Sequence, residues 1–508
     1  MKRTITSIAV LLASAGAYSQ NIVQTLLDTN NVRASVSNRG IFFHDPLGGN
    51  LSYEAPKGSM LNALYLMNVM AIGKDGNDNI KAAITDYEQS DFFYGPVTEL
   101  ASQYNSPGYQ NRYQTLWPLS KAQVDHHLAN WNEPGYTVPP VILNWPGNGN
   151  VANGEPLMLA PFSDLNGNSI YEPVLGEFPL IRGDEAIFCI MNDDADIHPS
   201  GANRMKLEVH LLFYQYAGTG PIANTTFIHA EAINRSTSML HDFHFGSIVD
   251  FEIGGGMDDY IGTSVDQNMA YGYNGDGSDE PLNGVPGYGE FPPALGVITL
   301  NRPLYSHISS TGATPNVSQT YDLMKGLDVG GNQQLDDDGQ PTTHAYSGYG
   351  PTGWTEATAG NAPGDRRSYI SFEPAELHYR ELRCYDYALV FSRKNEAGLF
   401  ASVDSLKADA AVIQAFYDSQ DYGCTEAFVG LNSLEPLAFG VYPNPAADKL
   451  TLSGIEDGSF TITALDGKVV SAGTISGSAI ELGNLHAGCY LLTVHSKGLS
   501  GTVKFMKD

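Results

Sequence analysis

The segment from Asp164 to Glu172 has the residue types and the spacing of a loop that wraps a hard cation. Its sequence, Asp-Leu-Asn-Gly-Asn-Ser-Ile-Tyr-Glu, places side-chain oxygens at the first, third and fifth positions and a carboxylate at the ninth. Ca²⁺ takes about six to eight oxygens, which alternate residues of such a loop supply together with a backbone carbonyl at the seventh position. We therefore predict a calcium site formed by Asp164, Asn166, Asn168, the carbonyl of Ile170, and Glu172.

This loop departs from the usual calcium-binding pattern at two positions. Ser169 stands at the sixth position, where glycine is usual, and Leu175 stands at the twelfth, where a bidentate glutamate is usual. A carboxylate from outside the segment must then complete the shell, and Glu177 and the more remote Asp184 are the candidates. The alternative is a loop whose Asp and Asn side chains bind only the backbone, as in Asx turns. A bound ion would have a structural role rather than a catalytic one.

Two further groups of acidic residues lie in loops rich in Gly and Asn. The first extends from Asp250 through Asp258-Asp259 to Asp279, and the second is Asp336-Asp337-Asp338. For the second group a solvated loop is the favoured interpretation, because carboxylates are mostly exposed. For the first group cation binding and a solvated loop both stay open, because aromatic residues alternate with the acids and are able to order them.

Two pairs that contain histidine have a spacing that suits metal binding or acid–base chemistry. Glu208 and His210 lie two residues apart on a predicted strand and so share a face, whereas His241 and His244 lie three apart. Hydrogen-bonded structural residues are the favoured interpretation of both pairs. The sequence has no H-E-x-x-H zinc helix, no G-x-S-x-G nucleophile turn and no P-loop, which disfavours the common hydrolases and nucleotide-binding proteins.

The elements that must position these residues are mainly β-strands. Period-2 alternation of apolar residues predicts a hairpin over residues 31–43, with its turn at Asn38-Arg39-Gly40. Other strands are predicted at Ala186–Met191, Lys206–Tyr216, Thr225–Ile233, Phe243–Phe251, Ala294–Leu300 and Tyr385–Ser392. The stretches between them are long and rich in Gly, Asn, Asp and Pro, which indicates elaborate loops.

Helix is sparse in the sequence pattern. One helix is predicted over Ser120–Trp131, with Ser120 as its N-cap. A second is predicted over Asp404–Asp418, because Leu406, Ala410 and Ile413 form one apolar stripe at helical spacing. We expect this second helix to pack on the edge of a sheet.

The cysteines indicate one disulfide rather than a metal site. Cys189, Cys384, Cys424 and Cys489 are too far apart for a compact zinc motif. Cys424 follows the second predicted helix closely, so it is placed to tie the chain to Cys384 at the start of a strand. Cys189 lies in an apolar strand and is predicted to be a buried thiol.

The charge of the chain restricts its partners. Its 508 residues include 27 Lys and Arg against 56 Asp and Glu, a formal net charge of −29, and nearly all of the acidic excess lies between residues 20 and 435. This excludes nucleic-acid binding through a basic surface, and no polybasic segment is present to bind anionic lipid. General solubility and calcium-holding loops are the two competing explanations of the acidity.

The N-terminus has the anatomy of a secretory signal peptide. Basic residues at Lys2 and Arg3 precede an apolar stretch over residues 5–17, and Ala17-Tyr18-Ser19 is a small-x-small cleavage site. We predict a signal peptide over residues 1–19. No later segment has the roughly 18 apolar residues of a membrane helix, so the exported protein is predicted to have no transmembrane segment.

The C-terminal segment is predicted to be a small β-sandwich that follows a linker at residues 431–440. Its short alternating strands are predicted at Lys449–Ser453, Phe460–Ala464, Lys468–Val470, Ile480–Leu482, Tyr490–Val494 and Thr502–Phe505. Asp466-Gly467 predicts the tight turn between the second and third of these strands.

Four motifs occur in order within residues 436–508. They are Tyr442-Pro443-Asn444-Pro445, Leu465-Asp466-Gly467-Lys468, Leu485–Tyr490 and Lys504-Phe505-Met506-Lys507. In these motifs the segment resembles the type A C-terminal sorting domain of type IX secretion, although Cys489 stands where that family usually has an aliphatic residue. The resemblance implies an Ig-like β-sandwich over residues 441–508 and transport across the outer membrane by the type IX machinery. It also implies removal of the domain, with release of the protein or its attachment to the cell surface.

The body, residues 20–430, resembles a recurrent family of large secreted proteins that carry the same sorting domain. The resemblance rests on Asn30–Ala34, Ile142–Pro146, Ala160–Phe162, Arg182–Asp184, Ile233–Ser236, Asp258–Gly262, Tyr273–Asp276, Pro292–Ala294, Gly353–Glu356 and Gly364–Arg367. Ser371–Glu376 departs from the Gly-Pro-Phe and Pro-Gly turn usual in that family. The resemblance implies an export route and a calcium-like loop, and no mechanism.

The patterns together predict a mainly β protein. We expect a large β-sandwich-like body, as one unit or two lobes, with long loops and few helices, followed by the small sandwich. The favoured function is that of a secreted or cell-surface, non-catalytic binding or adhesion protein, stabilised by calcium, with glycans or host or matrix surfaces as ligands. One alternative is an extracellular hydrolase of glycans or peptides that uses Asp258 and Asp259 or Glu208 and His210. The other is a structural component of an extracellular matrix.

Overall fold

The computed structural model describes most of the chain. The described residues are 22–44, 52–87, 89–310, 312, 314–420, 422–424, 439–455, 457–464, 469–483, 485–496 and 499–508. They form two compact units, one before and one after residues 425–438. The predicted signal peptide, most of the predicted linker and the turn at Asp466-Gly467 lie outside the described residues.

Strands dominate the first unit, which confirms the mainly β prediction. In chain order they are β1 Gln24–Leu27, β2 Arg33–Ser37, β3 Ile41–Phe42, β4 Tyr53–Glu54, β5 Leu66–Asn68, β6 Met70–Lys74, β7 Ile80–Ala83, β8 Phe93–Tyr94, β9 Trp117–Ser120, β10 Glu185–Asn192, β11 Leu207–Gln215, β12 Thr225–Asn234, β13 Leu240–Phe251, β14 Asp259–Ser264, β15 Met269–Asn274, β16 Ser278–Asp279, β17 Gly289–Glu290, β18 Ala294–Thr299, β19 Leu304–Ser309, β20 Gln334–Leu335, β21 Pro341–Thr342, β22 Arg366–Phe372, β23 Ala375–Leu377 and β24 Leu382–Ser392. The six longer strands predicted between residues 186 and 392 are β10, β11, β12, β13, β18 and β24.

Helices in the described residues are few and mostly short. They are α1 Pro107–Tyr113, α2 Lys121–Asn130, α3 Pro140–Leu143, α4 Val317–Met324 and α5 Ala401–Asp418. Short 3₁₀ helices lie at Ala101–Asn105, Val151–Asn153, Pro173–Leu175, Gly220–Asn224, Val265–Gln267 and Gly350–Thr352. The prediction for α2 is confirmed, because the hydroxyl of Ser120 and the side chain of Gln123 form a reciprocal capping box at its start.

Two large antiparallel sheets organise the described part of this unit. One has nine strands in the order β14-β15-β18-β24-β12-β11-β10-β8, with β9 beside β10. The other has eight strands around the path β19-β22-β13-β5-β3. A core that includes Val209 and Leu211 from the first sheet and Phe243 and Phe245 from the second fills the space between them. The body is thus a β-sandwich.

The nine-stranded sheet is covered on its other face as well. There Phe188 and Leu212 pack with residues of the helices, such as Val124 of α2 and Leu406 of α5. Every residue of β11 is consequently buried. A strand covered on both faces tolerates a polar side chain only where partners satisfy it, and this face carries the candidate site.

Two predictions about local structure are wrong. The segment 31–43 does not form a two-stranded hairpin, since β2 pairs with β1 and β4 whereas β3 pairs with β5. Gly40, at φ 77°, turns the chain from one sheet into the other. The helix α5 packs across β18 and β24 in the interior of the strand order, not at an edge, because Leu406 and Ile413 join the core on that face.

The second unit is a small β-sandwich, as predicted. Its strands are β25 Gly440–Tyr442, β26 Lys449–Ser453, β27 Asp457–Ala464, β28 Val469–Ser476, β29 Ala479–Glu481, β30 Gly488–Ser496 and β31 Leu499–Lys507. Sheet β25-β26-β29 and sheet β28-β27-β30-β31 share a core that includes Leu450, Ile462, Leu492 and Phe505.

Candidate binding site

Charged side chains lie on the helix-covered face of the nine-stranded sheet. Because alternate residues of a strand point to one face, Glu208 and His210 of β11 share that face with His229 and Glu231 of β12. The antiparallel pairing places His210 opposite Glu231, and it places His229 opposite Asp386 of β24. Three neighbouring strands therefore bring five ionisable side chains together.

Seven side chains form a continuous line of alternating charge, which we call the ion-pair chain. Its members, in order, are Arg235, Glu208, His210, Glu231, His229, Asp386 and Arg182. The distances between successive nitrogen and oxygen atoms are 2.7, 2.9, 3.2, 3.5, 2.7 and 3.0 Å. The hydroxyl of Tyr417 in α5 also donates to Asp386, at 2.5 Å.

Opposite charges hold each member of the line in its ionised form. Burial disfavours the charge on Glu208, but Arg235 and His210 outweigh burial and lower the pKa of Glu208 to about 2. Burial likewise disfavours the charge on His210, yet its hydrogen bonds to Glu208 and Glu231 raise its pKa to about 9. The same balance raises the pKa of His229 and lowers the pKa of Glu231. At neutral pH Glu208 is therefore ionised and His210 is cationic, and the same contacts favour the charged forms of Glu231 and His229.

Both imidazole rings use both of their nitrogens within the line. His210 donates from Nε2 to Glu208 and from Nδ1 to Glu231, and His229 donates from Nδ1 to Asp386 and from Nε2 to Glu231. A general acid or base must reach the substrate with a free proton-transfer atom. Neither ring has one, whereas Glu231 keeps unused acceptor positions and 23% of its side chain is exposed. The line thus presents a fixed hydrogen-bond acceptor.

A pocket of about 290 Å³ opens over the middle of the ion-pair chain, and we call it the histidine pocket. Arg182, His210, His229 and Glu231 supply its polar surface. Its remaining walls are formed by Pro161, Leu180, Ile181, Phe188, Leu212, Tyr422 and Gly423. Apolar walls with a few convergent polar groups are typical of small-molecule sites.

The predicted disulfide closes one side of the histidine pocket. Cys384 and Cys424 are bonded, with their Cα atoms 6.0 Å apart, and Cys384 lies opposite Glu231 in the pairing of β12 with β24. Tyr422 precedes Cys424 by two residues, and its ring stacks on the guanidinium of Arg182 at 4.4 Å. The disulfide therefore holds the tyrosine wall against the sheet.

The predicted calcium loop folds around the carboxylate of its first residue. Asp164 accepts hydrogen bonds from the backbone N–H groups of Gly167, Asn168 and Ser169, which lower its pKa. Gly167 and Ser169 have positive φ angles of 74° and 61°, so the loop curls tightly at both positions. The side-chain oxygens of Asn166 and Asn168 likewise accept from backbone N–H groups two residues ahead, which is the Asx-turn geometry of the alternative interpretation.

Two glutamates close the same loop. Glu172 accepts from the side-chain amides of Asn166 and Asn168 at 3.0 and 2.7 Å. Glu177 is fully buried, and it accepts from the backbone N–H groups of Leu165 and Glu172. Of the two candidates for closing the shell, Glu177 lies at the loop, whereas Asp184 accepts from the N–H of Ala217.

The other predicted residues have different surroundings. Asp336 accepts from the N–H groups of its own turn, as a solvated loop does. His241 donates to the carbonyl of Asp75, whereas the ring of His244 packs against Tyr305. The register of β13 shifts between the two residues, so their rings have separate partners. In contrast, Asp250, Asp259 and Asp279 are buried, which makes the solvated-loop interpretation of that group wrong for these three.

One further group of metal-ligating types is close together among the described residues. Donor atoms of His229, Glu231 and Cys384 all lie within 4.8 Å of one another. The sulfur of Cys384 belongs to the disulfide, so it is no thiolate ligand, and both nitrogens of His229 already donate to carboxylates. These contacts favour the ion-pair chain over a metal centre.

Sequence reasoning found only Glu208 and His210 of this site. It missed Glu231, His229, Asp386 and both arginines. The one available signal was that His229-Ala-Glu231 repeats, in reverse order, the two-residue spacing of Glu208-Val-His210.

Comparison with known proteins identifies the second unit. Residues 440–508 match the family model described as the secretion system C-terminal sorting domain. These residues are a type IX sorting domain. The sorting domain indicates that the chain is a secreted or cell-surface protein. It also indicates that the type IX machinery handles the chain. Among the described residues no helix is long and apolar enough to cross a membrane.

Comparisons of the whole chain are less informative. No match is found among curated proteins. A polysaccharide lyase is similar at 11% identity and TM-score 0.20, over 65% of this chain, which spans only 37% of the length of that structure. A protein from Escherichia coli K12, whose description suggests an aldose 1-epimerase, is similar at 9% identity and TM-score 0.26, over 74% of this chain and 100% of that one. At such TM-scores neither likeness bears on the function.

Proposed function

We propose that the exported body is a non-catalytic binding protein whose histidine pocket holds a hydroxyl-rich unit of a glycan. The observation that carries this proposal is the position of Glu231. Its carboxylate is fixed by contacts with the rings of His210 and His229 and is still accessible from the pocket. An ionised, oriented carboxylate accepts hydrogen bonds from hydroxyl groups, and these charge-assisted bonds are stronger than neutral ones.

The apolar walls suit the other side of a sugar ring. The ring of Phe188 lies 5.8 Å from that of His210, Leu212 lies opposite His229 in the strand pairing, and Tyr422 lines the pocket with Arg182 stacked on its ring. Sugars combine hydroxyl groups with apolar C–H faces, so a pocket that is polar on one side and apolar on the other matches both. The volume of about 290 Å³ is at the lower end for small-molecule pockets, which favours one or two sugar units.

A glycan array followed by calorimetry on the hits tests this function on the secreted protein. We expect Glu231→Gln to weaken binding of the hits at least tenfold, because the amide replaces an acceptor with a donor. Glu396→Gln removes an exposed carboxylate from a loop remote in sequence and is the matched control. Leu180→Lys, at an exposed position of the pocket rim, tests the pocket without touching the ion-pair chain.

Two outcomes would contradict the proposal. Unchanged affinity in both Glu231→Gln and Leu180→Lys would remove the histidine pocket as the site. Conversion of the bound glycan to product by the wild-type protein would favour the extracellular hydrolase instead.

We further propose that calcium in the Asp164 loop stabilises the body. What supports this proposal is that the loop curls around the carboxylate of Asp164 and that Glu172 and Glu177 both bind groups of the same loop. Calorimetric titration is expected to show calcium uptake that Asp164→Asn abolishes, with Asp336→Asn as the control from a solvated acidic turn. Absence of uptake at millimolar calcium would refute this site.

A further inference from the structure

A second oxygen-rich centre lies where β13 ends and the chain turns into β14. The turn contains Gly254, Gly255 and Gly256, and the carboxylates of Glu252, Asp259 and Asp279 surround it. We call this centre the acidic turn. Glycine is required here, because a Cβ at Gly254 would lie 1.9 Å from Oδ2 of Asp279, and one at Gly256 would lie 2.8 Å from Cγ of Glu252.

Backbone N–H groups orient two of these carboxylates. Oδ2 of Asp259 accepts from the N–H of Ile253 at 2.9 Å. Oδ1 of Asp279 accepts from the N–H of Gly255 at 2.9 Å, and its Oδ2 accepts from the N–H of Tyr288 at 2.6 Å. The glycine turn therefore lies between two aspartates that it holds in fixed orientations.

One carboxylate oxygen at this centre has no partner. Asp259 is 0% exposed, and its Oδ1 receives no hydrogen bond. Burial raises the pKa of Asp259 well above its ordinary value, and the charges of Asp258, Asp279 and Glu252 act in the same direction. An unpartnered buried acceptor of this kind points to a missing positive group.

Positive side chains do not supply that group. Among the described residues, the ion pairs involve none of the three carboxylates of the acidic turn. The guanidinium of Arg366, in the neighbouring β22, is already paired with Glu356 at 2.7 Å. Burying an uncompensated carboxylate costs several kcal/mol, so these groups must either take up protons or share a cation.

We propose that Asp259 and Asp279 bind a calcium ion at the acidic turn. The side chains that surround this turn offer only carboxylate oxygens as metal ligands. Oxygen is the ligand type that a hard cation such as calcium prefers. No group of three carboxylates with oxygens within 4.8 Å of one another is found here among the described residues, so the proposed site has the two aspartates as its only carboxylate ligands and needs carbonyl oxygens and water as the others. This site is independent of the Asp164 loop and of the histidine pocket.

Calcium stoichiometry of the full secreted chain tests the proposal. We expect wild type to bind two ions, Asp164→Asn to lose one and Asp279→Asn to lose the other. Asp276→Asn removes an exposed carboxylate from the same segment and is expected to keep both ions. Equal stoichiometry in wild type and Asp279→Asn would overturn the second site, whereas a loss confined to Asp164→Asn would leave only the first.

A second measurement does not depend on a carboxylate variant. Terbium replaces calcium in oxygen sites, and its luminescence is excited by a nearby tyrosine. Tyr288 binds Asp279 through its backbone, and its phenol is close enough for the charge of Asp279 to act on it. We expect Tyr288→Phe to lower the luminescence at least twofold and excess calcium to displace the terbium. Luminescence that Tyr288→Phe leaves unchanged would contradict the site.

Discussion

The ion-pair chain and the acidic turn bury carboxylates in opposite ways. In the ion-pair chain three carboxylates alternate with two imidazoles and two arginines, so every charge has an opposite neighbour. In the acidic turn the charges that act on Glu252 and Asp259 are those of other carboxylates. The comparison shows that burial alone does not decide the state of an acid, because the charge of its neighbours does.

The pKa values express this difference. In the ion-pair chain, Arg235 and His210 overcome burial and lower the pKa of Glu208 to about 2. Near the acidic turn, burial and the charge of Asp250 raise the pKa of Glu252 to about 8, and burial raises that of Asp279 to about 6. In the ion-pair chain the charges of the side chains balance one another. In the acidic turn the negative charges need protons or a cation to balance them.

The largest effect is expected from removing one charge of the ion-pair chain. Asp386→Asn leaves His229 and Arg182 buried without their shared carboxylate, which typically costs about 3–5 kcal/mol. Urea unfolding of the body would measure it. Asp125→Asn, in the exposed pair of Asp125 with Lys121, is the control and is expected to change the free energy of unfolding by less than about 1 kcal/mol. Equal changes in the two variants would contradict the view that the ion-pair chain is a buried network in which each charge depends on its opposite neighbours.

The next largest effect is expected from breaking the disulfide beside the ion-pair chain. Cys424→Ser breaks the disulfide and is expected to lower the free energy of unfolding by about 2–4 kcal/mol. It also frees Tyr422, so glycan binding in the histidine pocket is expected to weaken. Cys489→Ser changes a free cysteine of the sorting domain and is the control for both measurements. Retained glycan affinity in Cys424→Ser would show that the tyrosine wall is not needed.

The pH dependence of stability separates the two regions. The folded pKa of His210, about 9, exceeds its ordinary value of 6.5, so its contribution is fully present below about pH 6.5 and is lost as pH rises through 9. The folded pKa of Glu252, about 8, exceeds its ordinary 4.5, so stability is also lost between pH 4.5 and 8. The folded pKa of Glu208 is lowered to about 2, so its contribution to stability is present above pH 4.5 and is lost as pH falls through 2.

Calcium sharpens this comparison. In chelator, we expect the melting temperature to fall steadily as pH rises from 5 to 9. With saturating calcium, the fall between pH 5 and 6.5 is expected to become smaller, because the ion replaces protons of the acidic turn, and the fall near pH 9 is expected to remain. A calcium-independent profile would contradict calcium binding at the acidic turn.

The smallest effect is expected from neutralising one acid of the acidic turn. Glu252→Gln removes a like charge from Asp259 and Asp250, so in chelator at pH 8 it is expected to stabilise the body by on the order of 1 kcal/mol. Glu208→Gln, the same change in the ion-pair chain, is expected to destabilise it. Changes of the same sign in the two variants would erase the distinction between the regions.

Local sequence patterns predict what depends on neighbours in the chain. The N-cap Ser120, the strands β10 to β13, β18 and β24 and the motifs of the sorting domain were all predicted, because each depends on residues a few positions apart. The disulfide was also predicted, from the position of Cys424 after a helix. In the Asp164 loop the same locality permits a prediction of the site, because its candidate ligands lie within 14 consecutive residues.

Only the tertiary structure decided the ion-pair chain and the acidic turn. His229 and Asp386 are 157 residues apart, and the register of β12 with β24 brings them together. The sequence shows that Glu208 and His210 of β11 share a face, but it does not show which strands lie beside that face. The sequence determined that the body is acidic and rich in strands. The pairing of those strands decided which acids have cations beside them, because strand register and packing, not composition, set the distances between charges.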